Sequence, residues 1–204
     1  MPSAAQNSAK QEELIEIASK LFYEQGYGMT GIKQIIDAAG IAKGTFYSHF
    51  PSKEALGLAW LRDRHHRWNQ WLAADIDALD SPQDKLLGVF DFLVHWMKES
   101  DYRGCAFLNT CAETPDCSSP LRDEVSAHKR GLHDKFQELA IQHFHLDDPS
   151  GDPIPAARHK GTILYLLFEG ALTEARNFHD PWPIMAARTE AASILSQSLS
   201  STTL

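Results

Sequence analysis

The sequence predicts an all-α chain, on three observations. Apolar residues recur at three- and four-residue spacing along nearly the whole length. Extended apolar–polar alternation is scarce, and no internal repeat or low-complexity block is evident. Glycine, proline, serine and threonine punctuate the pattern at helix-length intervals. At 204 residues the chain suits one compact unit, or a small domain fused to a larger one.

The elements follow in order. Leu14, Ile17, Ala18, Leu21 and Phe22 share one face of a first helix over about Ala9 to Gln25, stopped by Gly26. Thr30 is expected to cap a second helix, because a threonine oxygen can accept a free first-turn N–H. Ile32, Ile35 and Ile36 form that helix's buried side, and Gly40 ends it. A short third helix covers about Lys43 to Phe50, before Pro51. Ser52 caps a fourth helix, from about Lys53 to Leu79, which would span roughly 40 Å.

Ser81 and Pro82 open a fifth helix, with Leu86, Val89, Phe90, Leu93, Val94 and Met97 on its apolar side. Tyr102 to Glu113 is a short, apolar, cysteine-bearing segment, followed by a loop from Thr114 to Pro120. Leu121 to Phe144 reads as another long helix, and Asp147 to Pro155 as a loop. Ala156 to Phe178 is apolar on nearly all faces, so it should be buried all round, with a second copy of the chain supplying cover. A final helix covers about Pro183 to Leu199.

Charge is distributed unevenly. The net charge is −8, unusual for a protein that grips nucleic acid. From Gly26 to Lys53, however, Lys33, Lys43 and Lys53 stand against Asp37 alone, a local +2. The acidity lies elsewhere. No apolar run approaches the ~20 residues of a membrane helix, and the polar N-terminus lacks a signal-peptide core. Three cysteines make an odd count, which argues for free thiols in a reducing compartment. A cytoplasmic protein is expected.

Thr30 to Phe50, TGIKQIIDAAGIAKGTFYSHF, carries the function. It reads helix, glycine-centred turn, helix, at the size of a helix-turn-helix. The second helix of such a unit enters the major groove and points its N-terminal residues at base edges. Lys43, Gly44 and Thr45 occupy that turn, with glycine allowing close backbone approach. Tyr47, Ser48, His49 and Lys53 can donate to phosphate oxygens, with Thr30 and Lys33 completing the candidate DNA-binding set. Phe50 is assigned to packing within this small domain.

The stretch from Gly26 to Leu56, with its run AGIxKGTFYxHFxSKExL, resembles the signature of the TetR family of transcriptional regulators. The resemblance implies an all-α fold of about nine helices. It implies a DNA-binding domain over 1–52 and a ligand-sensing and dimerisation domain over 53–204. It also implies a homodimer through the last two helices, a double-stranded DNA operator with two related half-sites, and repression relieved by an effector. A second stretch, Arg103-Gly104-Cys105-Ala106-Phe107-Leu108-Asn109 followed by Ala112-Glu113, resembles the N-ethylmaleimide-reductase repressor subgroup, which senses electrophiles through a cysteine. Cys105 sits at the matching position. Arg176 stands where that subgroup has an important lysine, so the cysteine–lysine chemistry does not carry over.

For the sensing site two readings of Cys105 stay open: a small buried apolar residue, or a thiol that reacts. Cys111 and Cys117 read as structural. Most of the large aromatics, Trp60, Trp68, Trp71, Tyr165 and Trp182 among them, read as core. Phe92, Trp96, Phe107 and Phe168 are candidates to line an apolar effector pocket, and Glu169 and Arg176, seven apart, a charged pair that tunes it. The ten histidines and three cysteines show no CxxC or HExxH spacing, so no metal or other cofactor is expected. His65 and His66 are placed on the flank of the fourth helix. No nucleophile triad, phosphate loop or metalloprotease signature supports an enzyme. A helical protein-interaction module is the remaining alternative, separable by salt-dependent duplex binding.

Overall fold

A computed structural model describes residues 4–147 and 154–198, and among these it contains nine helices and no strands. They are α1 (Ala4–Gln25), α2 (Ile32–Ala39), α3 (Lys43–His49), α4 (Lys53–Ile76), α5 (Pro82–Glu99), α6 (Ala106–Glu113), α7 (Pro120–Asp147), α8 (Ile154–Phe178) and α9 (Trp182–Ser196). The loop expected over Asp147 to Pro155 falls mostly outside the described residues, as does Leu199, the expected end of α9. No described helix is long and apolar enough to cross a membrane.

The chain forms two compact units. The first joins Met1–Trp68 to Cys105–His128, so α6 and the start of α7 cluster with α1 to α3 and most of α4. Its core includes the stripe that the three- and four-residue spacing marks on α1. Leu14, Ala18 and Phe22 of α1 are buried with Ile35 of α2, Phe46 of α3 and Leu56, Trp60 and Leu61 of α4. Phe22 meets the Tyr27 ring edge-on at 5.1 Å and the Trp60 ring at 5.2 Å. Phe50 is buried, as its packing role requires.

The second unit is Asn69–Gly104 with Lys129–Leu204. Here α8 packs on α9, and α5 on both. Phe90, Phe136 and Phe168 form a buried aromatic triad with centroids 5.7 to 6.3 Å apart. Gly161 lets α7 and α8 approach, since a Cβ there would lie 2.7 Å from the Gln137 Cα.

Helix starts follow their caps. Ser52 Oγ accepts the Ala55 amide at 3.0 Å, and Ser81 Oγ the Asp84 amide at 3.0 Å, each covering a first-turn N–H that the helix leaves free. Thr30 does not cap α2. The residue in that place is Gly31, with no side-chain cap. Thr30 is instead fully buried, its hydroxyl directed at the Gly26 carbonyl at 2.8 Å and the Leu21 carbonyl at 3.3 Å, where it ties the turn back to α1.

Two further expectations are corrected. α4 stops at Ile76, because the chain turns there, with the Leu79 amide on the Ile76 carbonyl at 3.1 Å and the Leu79 side chain folded over Gly88. On α8 and the start of α9 large apolar side chains stand exposed on the single chain, Leu166 at 60%, Phe178 at 57%, Trp182 at 51% and Met185 at 59%. Trp71 and Trp182 are likewise surface residues rather than core.

Candidate nucleic-acid interface

The α2–α3 hairpin is built around one glycine. Gly40 takes φ +60°, a left-handed conformation that favours a residue without Cβ. Its amide reaches the Asp37 carbonyl at 3.2 Å, and the Ile41 amide the Ile36 carbonyl at 3.3 Å, closing the end of α2. Two extended residues later α3 begins, with the Thr45 and Phe46 amides on the Ala42 carbonyl. Ile35 and Phe46, both fully buried, fix the two helices to the core from behind.

This anchoring decides what α3 shows outward. Lys43, Gly44, Tyr47 and Ser48 are exposed, while Thr45 and His49 are half-buried. Lys43 Nζ lies 5.9 Å from the centre of the Tyr47 ring, and Ser48 Oγ donates to the Thr45 carbonyl at 2.7 Å. Gly44 is informative because no atom lies within 4 Å of where its Cβ would be. A glycine inside a helix costs about 1 kcal/mol relative to alanine. Nothing in the unit's own packing requires that cost, since a Cβ there would meet open space.

The remaining candidate residues divide. Lys33 is exposed on α2 and pairs with Asp37 at 2.6 Å, a surface contact that phosphate can replace. Lys53 is held inward, its ammonium 3.3 Å from the Gly28 carbonyl and 4.4 Å from the centre of the Tyr27 ring. Burial lowers its pKa, with the nearby Glu113 charge opposing. Thr30 departs from the expected contact set, because its buried hydroxyl faces α1.

Sequence reasoning missed the residue that fastens α6 to the turn before α2. The Glu113 carboxylate accepts the Gly28 amide at 2.5 Å and crowds Gly26, whose φ is +97°. Ser119 donates to Glu54 at 2.8 Å, and Arg62 to Glu124 at 3.1 Å, so α4 is tied to the start of α7 as well. The only hint was Glu113 in the second resembled stretch, which does not say what it holds.

The candidate sensing residues fall in both units. Cys105 and Phe107 belong to the first and are buried there. Phe107 stacks on His128 with centroids 3.7 Å apart and rings 6° from parallel. On α4, His65 is half-buried and its Nδ1 is 2.8 Å from His128 Nδ1, so one ring nitrogen donates and the other accepts. Phe92, Trp96, Phe168, Glu169 and Arg176 belong to the second unit, the three aromatics buried. Glu169 pairs with Lys129 of α7 at 2.7 Å rather than with Arg176. The Arg176 stem instead lies over Gly104, whose φ of +77° and lack of Cβ both suit glycine. Among the described residues no three His, Cys, Asp or Glu side chains converge as a metal site.

A short helix pinned from behind by Phe46, offering lysine, tyrosine, serine and bare backbone outward, defines a helix-turn-helix DNA-binding regulator. Comparison with known proteins narrows the class. Residues 14–59 match the family described as bacterial regulatory proteins, tetR family. The chain is 25% identical over 169 residues to the transcriptional repressor NemR of Escherichia coli K12, covering 81% of this chain and 83% of that one. It is 26% identical over 176 residues to the transcriptional regulator LmrA of Bacillus subtilis, covering 85% and 90%. The crystal structure of SCO4454, a TetR-family regulator from Streptomyces coelicolor, superposes with a TM-score of 0.78 at 28% identity over 92% of this chain and 95% of that one. Residues 14–59 thus carry a TetR-type DNA-binding domain, the relatives matched over more than four-fifths of the chain are transcriptional regulators, and the chain is a DNA-binding regulator.

Proposed function

We propose that this chain is a cytoplasmic, one-component repressor that binds a palindromic operator as a homodimer and leaves it when an effector binds. The observation that carries the reading is the outward face of α3, with Gly44 open to solvent between Lys43 and Tyr47. Lys33, Lys43, Tyr47, Ser48 and His49 are proposed to contact phosphates and base edges, with Gly44 and Thr45 in the closest approach. Lys53 braces the turn and has donors left for phosphate. The proposed division of labour is DNA binding by 1–52 and sensing with dimerisation by 53–204.

Dimerisation is proposed through α8 and α9. Leu166, Phe178, Trp182 and Met185 are large, apolar and exposed, which is costly unless a second copy covers them. A dimer would hold two α3 helices about 34 Å apart, one turn of DNA. The effector is a small molecule or an electrophile. Its candidate contacts are two separate groups, Cys105 with Phe107, and Phe92, Trp96 and Phe168 with Glu169 and Arg176. Release follows because the effector favours a conformation with the wrong head spacing.

Selection of bound duplexes from a random pool, at two salt concentrations, tests this. Enrichment of a palindrome with half-sites about one turn apart, weaker at high salt, is expected. A folded dimer that enriches no sequence would overturn it and leave the protein-interaction module.

A further inference from the structure

The last turn of α6 and the loop after it place two thiols beside one guanidinium. Arg122, at the start of α7, donates from Nη1 to the Cys111 carbonyl at 3.0 Å and to the Cys111 sulfur. Its Nη2 is 4.0 Å from the Cys117 sulfur. The Cys117 thiol also faces the Pro115 carbonyl at 3.8 Å. Cys111 is half-buried and Cys117 exposed, so a small solute reaches both. Cys105, at the opposite end of α6, is buried. Between Cys111 and Cys117 the helix ends at Glu113, and no helix holds the segment from Thr114 to Asp116. The loop is therefore free of the constraint that keeps two thiols on one helix apart.

What lies beside these thiols gives the pair a consequence. Glu113, two residues after Cys111, holds the Gly28 amide in the turn before α2. Ser119, two residues after Cys117, holds Glu54 in the first turn of α4. Both ties join the thiol-bearing segment to the DNA-reading part of the same compact unit.

We propose that Cys111 and Cys117 form an oxidisable dithiol site for hydroperoxides, and that its closure to a disulfide loosens the hold of Glu113 on Gly28. The Cys111 sulfur attacks one peroxide oxygen as its thiol proton departs. The O–O bond breaks, one water leaves, and Cys111 becomes a sulfenic acid. The Cys117 sulfur then attacks the Cys111 sulfur, the S–O bond breaks and a second water leaves. Two thiols have lost two protons and two electrons, and hydrogen peroxide has gained them as two waters. The Arg122 guanidinium, which donates to the Cys111 sulfur, holds it in place for the attack. A disulfide needs the two Cα atoms within about 4.4–6.8 Å in a defined geometry. A closed bridge would tether the loop to the last turn of α6, which carries Glu113.

The site stands on its own geometry, and only its effect on operator binding rests on the function proposed above. The test treats the reduced full chain with hydrogen peroxide, alkylates remaining thiols and maps the peptides. Amide exchange of the peptide containing Gly28 is followed in parallel. Expected are a Cys111–Cys117 link two hydrogens lighter than the dithiol, Cys105 still alkylated, and exchange at Gly28 at least about fivefold faster. Cys105→Ser should leave this response intact. Cys117→Ser should abolish both the link and the exchange change, while trapping a Cys111 sulfenic acid. Persistence of both free thiols would overturn the proposal, as would a link through Cys105 or between chains, or a link with unchanged Gly28 exchange. These readouts need no DNA, so a chain that fails to bind any operator defeats the earlier reading without obscuring this one.

Discussion

Two exposed faces of this chain differ in almost every property. The α3 face offers Lys43, Gly44, Tyr47 and Ser48, polar or bare, on a seven-residue helix pinned from behind. The face over α8 and α9 offers Leu166, Phe178, Trp182 and Met185 on helices of 25 and 15 residues. A charged, hydrogen-bonding face exchanges one set of polar partners for another and releases under salt. An apolar face gains by staying covered. The first face therefore suits the reversible DNA contact proposed above, and the second the proposed self-association.

The comparison breaks most visibly at Leu166. Leu166→Glu places two like charges in the proposed isologous interface while leaving the fold alone, because the side chain is already exposed. Sedimentation should show monomer, and operator affinity should fall at least about 30-fold, the scale of a lost interface anchor. A dimer that survives would move the interface elsewhere.

Gly44→Ala sharpens the other side. With open space around the site, the variant should gain about 0.4–1 kcal/mol of stability in urea unfolding. Its operator affinity should nonetheless drop about tenfold, since the added methyl stands where DNA backbone approaches. A stabilised variant that binds normally would remove the close-approach argument.

Lys43→Ala should weaken binding about fivefold on all sequences alike. The slope of log affinity against log salt should become shallower by about 0.9 for each lysine lost, hence about 2 for a dimer. A change confined to one base position would mean that Lys43 reads sequence instead.

The smallest effect concerns pH and touches only the DNA-reading side. Burial pushes Tyr27 up to about 12, with the Glu54 carboxylate adding to the shift. A raised value in the folded chain means the neutral phenol is favoured. Its contribution is complete below the ordinary value of 10.0 and is lost as pH rises through about 12. The urea midpoint should therefore fall between those pH values, and fall less in Tyr27→Phe.

The same contrast shows how far the sequence could be read. Helices α1, α3 and α5 were legible because periodicity, glycine stops and serine caps are local signals. Thr30 misled, because a threonine that caps and a threonine that ties a turn to the preceding helix look alike in sequence. Glu113 and Gly28 lie 85 residues apart, so no spacing rule joins them. Glu169 and Arg176 shared a helix face by count, yet Glu169 is met by Lys129 from another helix, a partner that periodicity within α8 has no means to reveal. The exposed stripe on α8 was legible only as excess apolarity, for which a second copy is the proposed partner.

Hydroxyl-radical footprinting of the selected operator tests the central claim most directly. Two protected patches on one face of the duplex, centred about one helical turn apart and lost together in Leu166→Glu, are the result expected. A single patch, or protection unchanged in that variant, would contradict a dimer that reads DNA with two α3 helices.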